Sequence, residues 1–421
     1  MVAFYASRYL LNGCSVPASK SISQSLLISN GFIHPVGKGL YSLLPLGQRV
    51  VDKLSRIIDK ELESIGALKM STTILGPKEL WDKTGRWDNM GSELMQLNDR
   101  AGSKYCLQPT AEEMITQIVS QLPQLKKSTF PLMLYQTSDK FRDEMNPRFG
   151  LLRARQFIMK DLYSFDLNDD SAKTTYNQVL LAYKKILKDR LQLEVFKVPA
   201  DSGVHGGRLS DEFHIKNSLG EDGIHFCKIC KKGVKVEDFK EMPACEKCSP
   251  ADHETLTTVE IGHTFQLGTK YSESLKAYHS GEPLNMCCFG IGVSRLLPAS
   301  MEALSPSDEV IRLPKAIAPF DAAIVVSKTL LSNVLVEMAI SSIGSLMKGG
   351  VLVDDRVDQS IGKRLKELNK IGIPRIVVLG KVTESTLNDT PKIEYLTTEP
   401  HNKDLMAKGE FTMSELMQIL Q

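Results

Sequence analysis

Residues 131–165 constrain this chain more than any other stretch. They hold two strand-like segments, Leu132–Phe141 and Arg153–Phe165, separated by the polar, proline-containing turn Asp143–Gly150. Long strand patterns joined by a short turn return antiparallel, so part of the chain must build an antiparallel sheet. Such a sheet needs cover on its apolar face. Candidates lie nearby. Val50, Val51, Leu54, Ile57, Ile58, Leu62 and Ile65 recur at helical spacing with charges between them, which predicts an amphipathic helix over 50–66. A second helix is expected over 171–190. Strand-like patterns return near 259–267 and 284–289, with a helical one over 291–304.

The pattern then changes. Pro298, Pro306, Pro314 and Pro319 punctuate a stretch that reads as a linker. Beyond it, Ala322–Val326, Val351–Asp354 and Arg375–Leu379 are short apolar runs alternating with helical segments at 329–347 and 360–371. Strand–helix–strand alternation predicts a small α/β domain with a largely parallel sheet. The fold class expected overall is α+β, with an antiparallel sheet flanked by helices followed by a C-terminal α/β domain. Residues 225–258, rich in Cys and Lys and without periodicity, read as a small inserted module.

Composition excludes little. The formal net charge is +2 in 421 residues, which neither demands nor excludes a nucleic-acid partner. No apolar run approaches the ~20 residues of a membrane-spanning helix. From Ala316 onward there are 12 Lys/Arg against 13 Asp/Glu, so RNA contact there would need local clustering. Lys363, Arg364, Lys366 and Lys370 form such a cluster, though a basic helix face is ordinarily a solvated surface. No Asp or Glu precedes Asp52, while Arg8 and Lys20 sit among Ser and apolar residues; the first 20 or so residues fit a transit peptide. A reducing matrix would suit the free thiols of Cys106, Cys287 and Cys288.

For chemistry, the common nucleotide motifs fail. There is no G-x4-G-K-[ST], and Gly290-Ile-Gly292-Val-Ser-Arg295 ends in Arg where a dinucleotide fingerprint needs Gly. Without a glycine cradle, phosphates must be held by side-chain cations. Arginine suits that task, being always charged and fork-shaped. The hairpin supplies Arg142, Arg148, Arg153 and Arg155, beside Glu144 and Phe157, and the later strand–helix unit supplies Arg295. A carboxylate can share a magnesium ion, and an aromatic ring can stack on a base.

These residues carry a resemblance. Phe141-Arg142-Asp143-Glu144, a loop, then Arg153-Ala-Arg-Gln-Phe157 resembles motif 2 of class II aminoacyl-tRNA synthetases; Gly290–Arg295 resembles motif 3, and Gly39–Gly47 with its following helix the dimer-forming motif 1. Within that class the prolyl family is most similar, through Pro109–Glu113, Lys140–Asp166, Gly262–Gly268 and Cys288–Gly292. The resemblance implies a presequence over 1–24, a catalytic domain over 25–305, a linker over 306–320 and an anticodon-binding domain over 321–421. It implies ATP and Mg2+ in a site where Thr110 and Glu112 hold the imino group of proline. Arg142 grips the carboxylate and α-phosphate, Arg153 and Arg295 clamp the outer phosphates, Glu144 meets the adenine or its metal, and Phe157 stacks on the base. His263 and Cys288 line the ring pocket. The implied partners are tRNA(Pro) and a second copy of the chain, with no membrane, and the implied location is the mitochondrial matrix.

Two departures stand out. Asp211 occupies the place of a family His in Ser210-Asp211-Glu212-Phe213, and Gln156 the place of a common Glu. Residues 225–258 are far too few for the long editing domain of bacterial relatives, so no hydrolysis of alanyl-tRNA in cis is expected. The same module contains Cys227-x2-Cys230-x14-Cys245-x2-Cys248, a spacing suited to a structural Zn2+, with free thiols as the alternative. A tRNA-binding subunit that lost catalysis would lack the motif arginines, yet Arg142 and Arg295 are present. A synthetase for threonine, serine or histidine is disfavoured by Pro109–Glu113.

Overall fold

The computed structural model describes residues 4–11, 13–14, 19–123, 125–207, 209–237, 248–249 and 252–421. The chain divides into two compact units. One gathers Met1–Val36, Tyr41–Leu54 and Ser300–Gln421; the other gathers Gly37–Leu40 and Ser55–Ala299.

The second unit is built on the expected hairpin. Leu132–Phe141 and Gln156–Asp166 pair antiparallel along their length, Leu132 opposite Phe165 and Phe141 opposite Gln156. They sit inside a larger sheet of spatial order Phe196–Pro199, Leu209–Lys216, His253–Gly268, Asn285–Gly292, Gln156–Asp166, Leu132–Phe141, Leu68–Lys69. All neighbours are antiparallel except Leu68–Lys69, which runs parallel to Leu134–Tyr135. The helix Asp169–Lys184 starts at a capping box, with Asn168 and Ser171 each satisfying the other's backbone N–H, and lays Tyr176, Val179 and Tyr183 against the sheet. On the apolar side, Ile115 and Val119 of the helix Glu112–Gln121 pack with Tyr163, Phe165, Phe265, Leu267 and Met286. Close strand approach accounts for one glycine here: a side chain at 262 would meet the Gly290 carbonyl at 3.0 Å.

The described part of 225–258 is more regular than its sequence reads. Asp222–Cys227 pairs with both Gly233–Lys235 and the start of the long His253–Gly268 strand. Alternating apolar residues are too sparse there to announce strands, and the pairing comes from backbone hydrogen bonds and a cluster of Phe196, Val198, Ile224, Phe226 and Leu256.

In the first unit, Ala322–Val326, Val351–Asp354 and Arg375–Leu379 form parallel strands at the expected residues. Ile393–Thr397 and Met406–Phe411 extend the sheet antiparallel. All five residues of Ala322–Val326 are buried, as a strand covered on both faces must be. The helical pattern at 329–347 resolves into a short turn and a helix Val334–Leu346 capped by Asn333. Three further points differ from the sequence reading. Val310, Ile311 and Leu313, within the proline-punctuated stretch, are buried, and the Ile311 N–H donates to the Lys370 carbonyl, so that stretch is packed rather than solvated. Arg364 is not part of a solvated basic face: it is 1 % exposed and donates to the carbonyls of Asp354 and Val326. Finally, Phe4–Tyr5 adds an edge strand parallel to Leu352–Val353, Ser7 donates to Asp355, and the Arg49 guanidinium lies between the Phe4 and Phe320 rings at 4.4 and 4.1 Å.

Candidate active site

The sheet of the second unit carries the site on one face. The antiparallel hairpin delivers Arg142 and Phe157, the His253–Gly268 strand delivers Glu260 and His263, and the Asn285–Gly292 strand delivers Cys288 and runs directly into the helix Val293–Leu304, which carries Arg295. A cavity of about 260 Å³ is lined by Thr110, Arg142, Phe157, His205, Glu260, His263, Phe265, Cys288 and Arg295, with Gly262, Gly290 and Gly292 leaving its floor bare. A second cavity, about 240 Å³, is lined by Glu93, Arg142, Glu144, Arg153, Phe157, Glu221, Glu260 and Arg295. Arg142, Phe157, Glu260 and Arg295 therefore form a wall common to both.

The electrostatics of that wall are unbalanced. Arg142 Nε is buried without a hydrogen-bond partner. Burial, then the neighbouring Arg295 charge, pulls the Arg142 guanidinium below its ordinary range. Its guanidinium also sits 5.4 Å from the Phe157 ring centroid. Two adjacent cations with an unsatisfied donor make a place for an anion. Arg295 is steadied by donating to the Glu260 carbonyl at 2.8 Å. Burial works to raise the Glu260 carboxyl, but His263 and Arg295 hold it down to about 2.

Not every expected side chain faces ligand space in the same way. Arg153 is paired with Glu144 at 2.9 Å and also with Glu221, which Arg148 contacts as well at 2.5 Å. Glu112 is fully buried one layer behind Thr110 and Cys288, accepting from Thr110 Oγ1 at 2.6 Å and from Cys288 Sγ at 3.2 Å. Burial pushes the Cys288 thiol well up, so it remains a neutral donor. His263 contacts Ser210 Oγ at 2.5 Å through Nε2 and stacks on Phe265 with centroids 4.0 Å apart. Asp211, standing where the family has His, is turned away to Tyr176 and Lys197. Gln156 donates to Asp139 and is exposed.

Sequence reasoning passed over Arg86, His205 and Glu260. His205 also stacks on Phe265, with ring centroids 4.6 Å apart. Burial draws its pKa down to about 4, so the imidazole is neutral at pH 7. Outside the cavities, the Sγ atoms of Cys227, Cys230 and Cys248 lie within 4.8 Å of one another. Cys245 falls outside the described residues.

An antiparallel sheet that presents two adjacent arginines and an aromatic ring between two adjoining cavities defines the core of a class II aminoacyl-tRNA synthetase. The family profile "tRNA synthetase class II core domain (G, H, P, S and T)" matches residues 95–304. Curated relatives are more specific. The rat protein named "Probable proline--tRNA ligase, mitochondrial" is 42% identical over 373 residues, spanning 85% of this chain and 78% of that protein. The fission yeast protein of the same name, from Schizosaccharomyces pombe, is 37% identical over 378 residues, spanning 87% of each. Among solved structures, the Giardia lamblia prolyl-tRNA synthetase in complex with prolyl-adenylate superposes with a TM-score of 0.74 at 15% identity, covering 94% of this chain and 75% of that one. The chain belongs to the proline–tRNA ligase family.

Proposed function

We propose that this chain activates proline with ATP and transfers the prolyl group to tRNA(Pro), working in the mitochondrial matrix as a homodimer. The observation that carries the reading is the shared wall of Arg142, Phe157 and Arg295 between two cavities of similar volume. Proline, bound in the pocket of Thr110, His263 and Cys288, points its carboxylate at Arg142. A carboxylate oxygen attacks the α-phosphorus, the bond from that phosphorus to the bridging oxygen breaks, and pyrophosphate leaves. Negative charge grows on phosphate oxygens, so fixed cations accelerate the step without a protein nucleophile. The unsatisfied Arg142 Nε fits this role. Arg295 and Arg153 take the outer phosphates, the latter after exchanging Glu221 for phosphate, and Phe157 stacks on adenine.

Magnesium, when bound, would neutralise phosphate charge, and the carboxylates of Glu144 and Glu260 at the second cavity could hold it. Thr110, with Glu112 behind it, receives the secondary ammonium. The three gathered thiols support a structural zinc, since thiolates at such separation suit one tetrahedral ion. We further propose that no hydrolysis of alanyl-tRNA occurs in cis, because residues 225–258 are far too few for a long editing domain. The homodimer rests on the resemblance of Gly39–Gly47 and the helix after it to the dimer-forming motif 1.

Residues 1–24 remain the proposed presequence, though Phe4–Tyr9 belong to a folded sheet and helical turn here. Proline-dependent exchange of pyrophosphate into ATP tests the activity. Exchange driven by threonine, serine or histidine in preference to proline would overturn it.

A further inference from the structure

Glu112 is held by an arginine to which the reaction assigns no part. Gly85 (φ +71°) turns the chain into the short helix Arg86–Asn89, and Trp81 and Trp87 anchor that turn in a core of their own. Arg86 is thereby fixed at 1 % exposure, 5.0 Å from the Trp81 ring and 5.7 Å from Tyr271. Its Nη1 donates to Glu112 Oε2 at 2.9 Å and to both oxygens of Glu113 at 3.1 Å. Thr84 Oγ1 donates to Glu113 as well.

The consequence for Thr110 follows from counting protons. Glu112 Oε2 accepts from both Arg86 and the Thr110 hydroxyl, so the single Thr110 proton is committed away from the cavity. The nearby Tyr163 hydroxyl gives its own proton to Asp161 and accepts from the Ala111 N–H. Thr110 is left with lone pairs facing the pocket. It can accept from a substrate N–H and cannot donate to one. Cys288 meanwhile donates to Glu112 Oε1, which His205 Nε2 faces at 4.0 Å.

We propose that Arg86 is a positioning residue for amino-acid recognition: by fixing Glu112 as a carboxylate behind Thr110, it makes that hydroxyl an acceptor for a secondary ammonium. The inference rests on the assignment of Thr110 and Glu112 to the imino group of proline. The charged groups around Glu112 are Arg86 and Glu113 on its near side, His205 from the loop, Asp161 with Tyr163 from the central strand, and Lys270 with Tyr271 from the helix beyond. Among these Arg86 is the close cation. Burial pushes Glu112 upward, and Arg86 is the strongest influence drawing it back, to about 2. Without Arg86 the burial effect governs, so the carboxyl takes up a proton as pH falls, and Thr110 loses its acceptor orientation.

The test is pyrophosphate exchange with Arg86→Gln, Arg86→Lys and Glu112→Gln, measuring KM for proline and for ATP from about pH 8 to about pH 6. In the parent enzyme KM for proline should show no rise from Glu112 protonation over this range. Arg86→Gln should raise it about tenfold or more, with a further rise toward the acid end and KM for ATP little changed. Arg86→Lys should restore the parent pH profile. Should Arg86→Gln fail to fold, the double variant Arg86→Met/Glu113→Gln removes one charge of each sign and carries the same readout. An unchanged, flat KM for proline in the folded Arg86 variant, while Glu112→Gln raises it, would overturn the inference. No effect of Glu112→Gln would instead overturn the assignment of Glu112, and this inference with it.

Discussion

Replacing Arg142 with alanine separates the two things its guanidinium does. In the free enzyme the group is a liability: its Nε has no partner, and burial together with the adjacent Arg295 charge disfavours its cationic form. In the transition state the same fork would face carboxylate and α-phosphate. A hydrogen bond to a charged group contributes about 1.5–3 kcal/mol. Two such bonds give about 3–6 kcal/mol, or roughly a 10²- to 10⁴-fold loss in the rate of proline-dependent exchange. The backbone N–H of residue 142 still donates to the Arg155 carbonyl in the variant, so the hairpin should keep its register. Thermal unfolding should therefore shift by no more than about 1 kcal/mol equivalent, and toward stability if at all. Arg142→Lys keeps a charge but loses the fork, and should fall between parent and alanine variant. The assay is exchange of labelled pyrophosphate into ATP, with melting temperature measured on the same preparations. An Arg142→Ala enzyme with full exchange activity refutes the anion-cage reasoning. So does one that loses activity only because it has unfolded.

Other outcomes are equally open to measurement. Alanine should be activated at about 10–200-fold lower kcat/KM than proline, because missing methylenes discriminate weakly, and alanyl-tRNA should persist without a separate hydrolase. Metal analysis of reduced protein should find about one zinc per chain, and Cys230→Ser should lower that content while leaving ATP binding intact. Acid should weaken the fold in two stages. His205, neutral when folded with a pKa of about 4, costs stability as pH falls below the unfolded value near 6.5. Glu112, held at about 2, contributes stability above its unfolded value near 4.5 that is lost as pH approaches 2. His205→Asn should flatten the first stage in a melting-temperature profile against pH.

Much of this was legible in the residues, and the failures have physical causes. Ala322–Val326, Val351–Asp354 and Arg375–Leu379 were readable to the residue because strands buried on both faces are unbroken apolar runs. The hairpin pair announced itself through length and its polar turn. The strands between 222 and 258 gave no such signal, since their pairing rests on backbone hydrogen bonds beneath a largely charged sequence. Arg364 misled because charge pattern reports a face, not whether a guanidinium can reach inward carbonyls. Among the expected site residues, those that line the cavities were marked by motif, but Arg86 lies in no run of charges. Its one clue is that the only two tryptophans of the chain, Trp81 and Trp87, bracket it. Glu260 reaches the site through strand order and His205 through the turn Gly203–His205, neither of which local spacing reveals.

The edge strand Phe4–Tyr5 sets a timetable for the nascent chain. Ser7 and its acceptor Asp355 are 348 positions apart, and at a synthesis rate of about 5–20 residues per second the acceptor emerges roughly 17 to 70 seconds after the donor. Throughout that interval Phe4–Tyr5 has no partner strand, because Leu352 and Val353, with which it pairs, have not yet been made. The edge of this sheet is therefore among the last parts of the unit to form, and its two partners meet only across nearly the whole length of the chain.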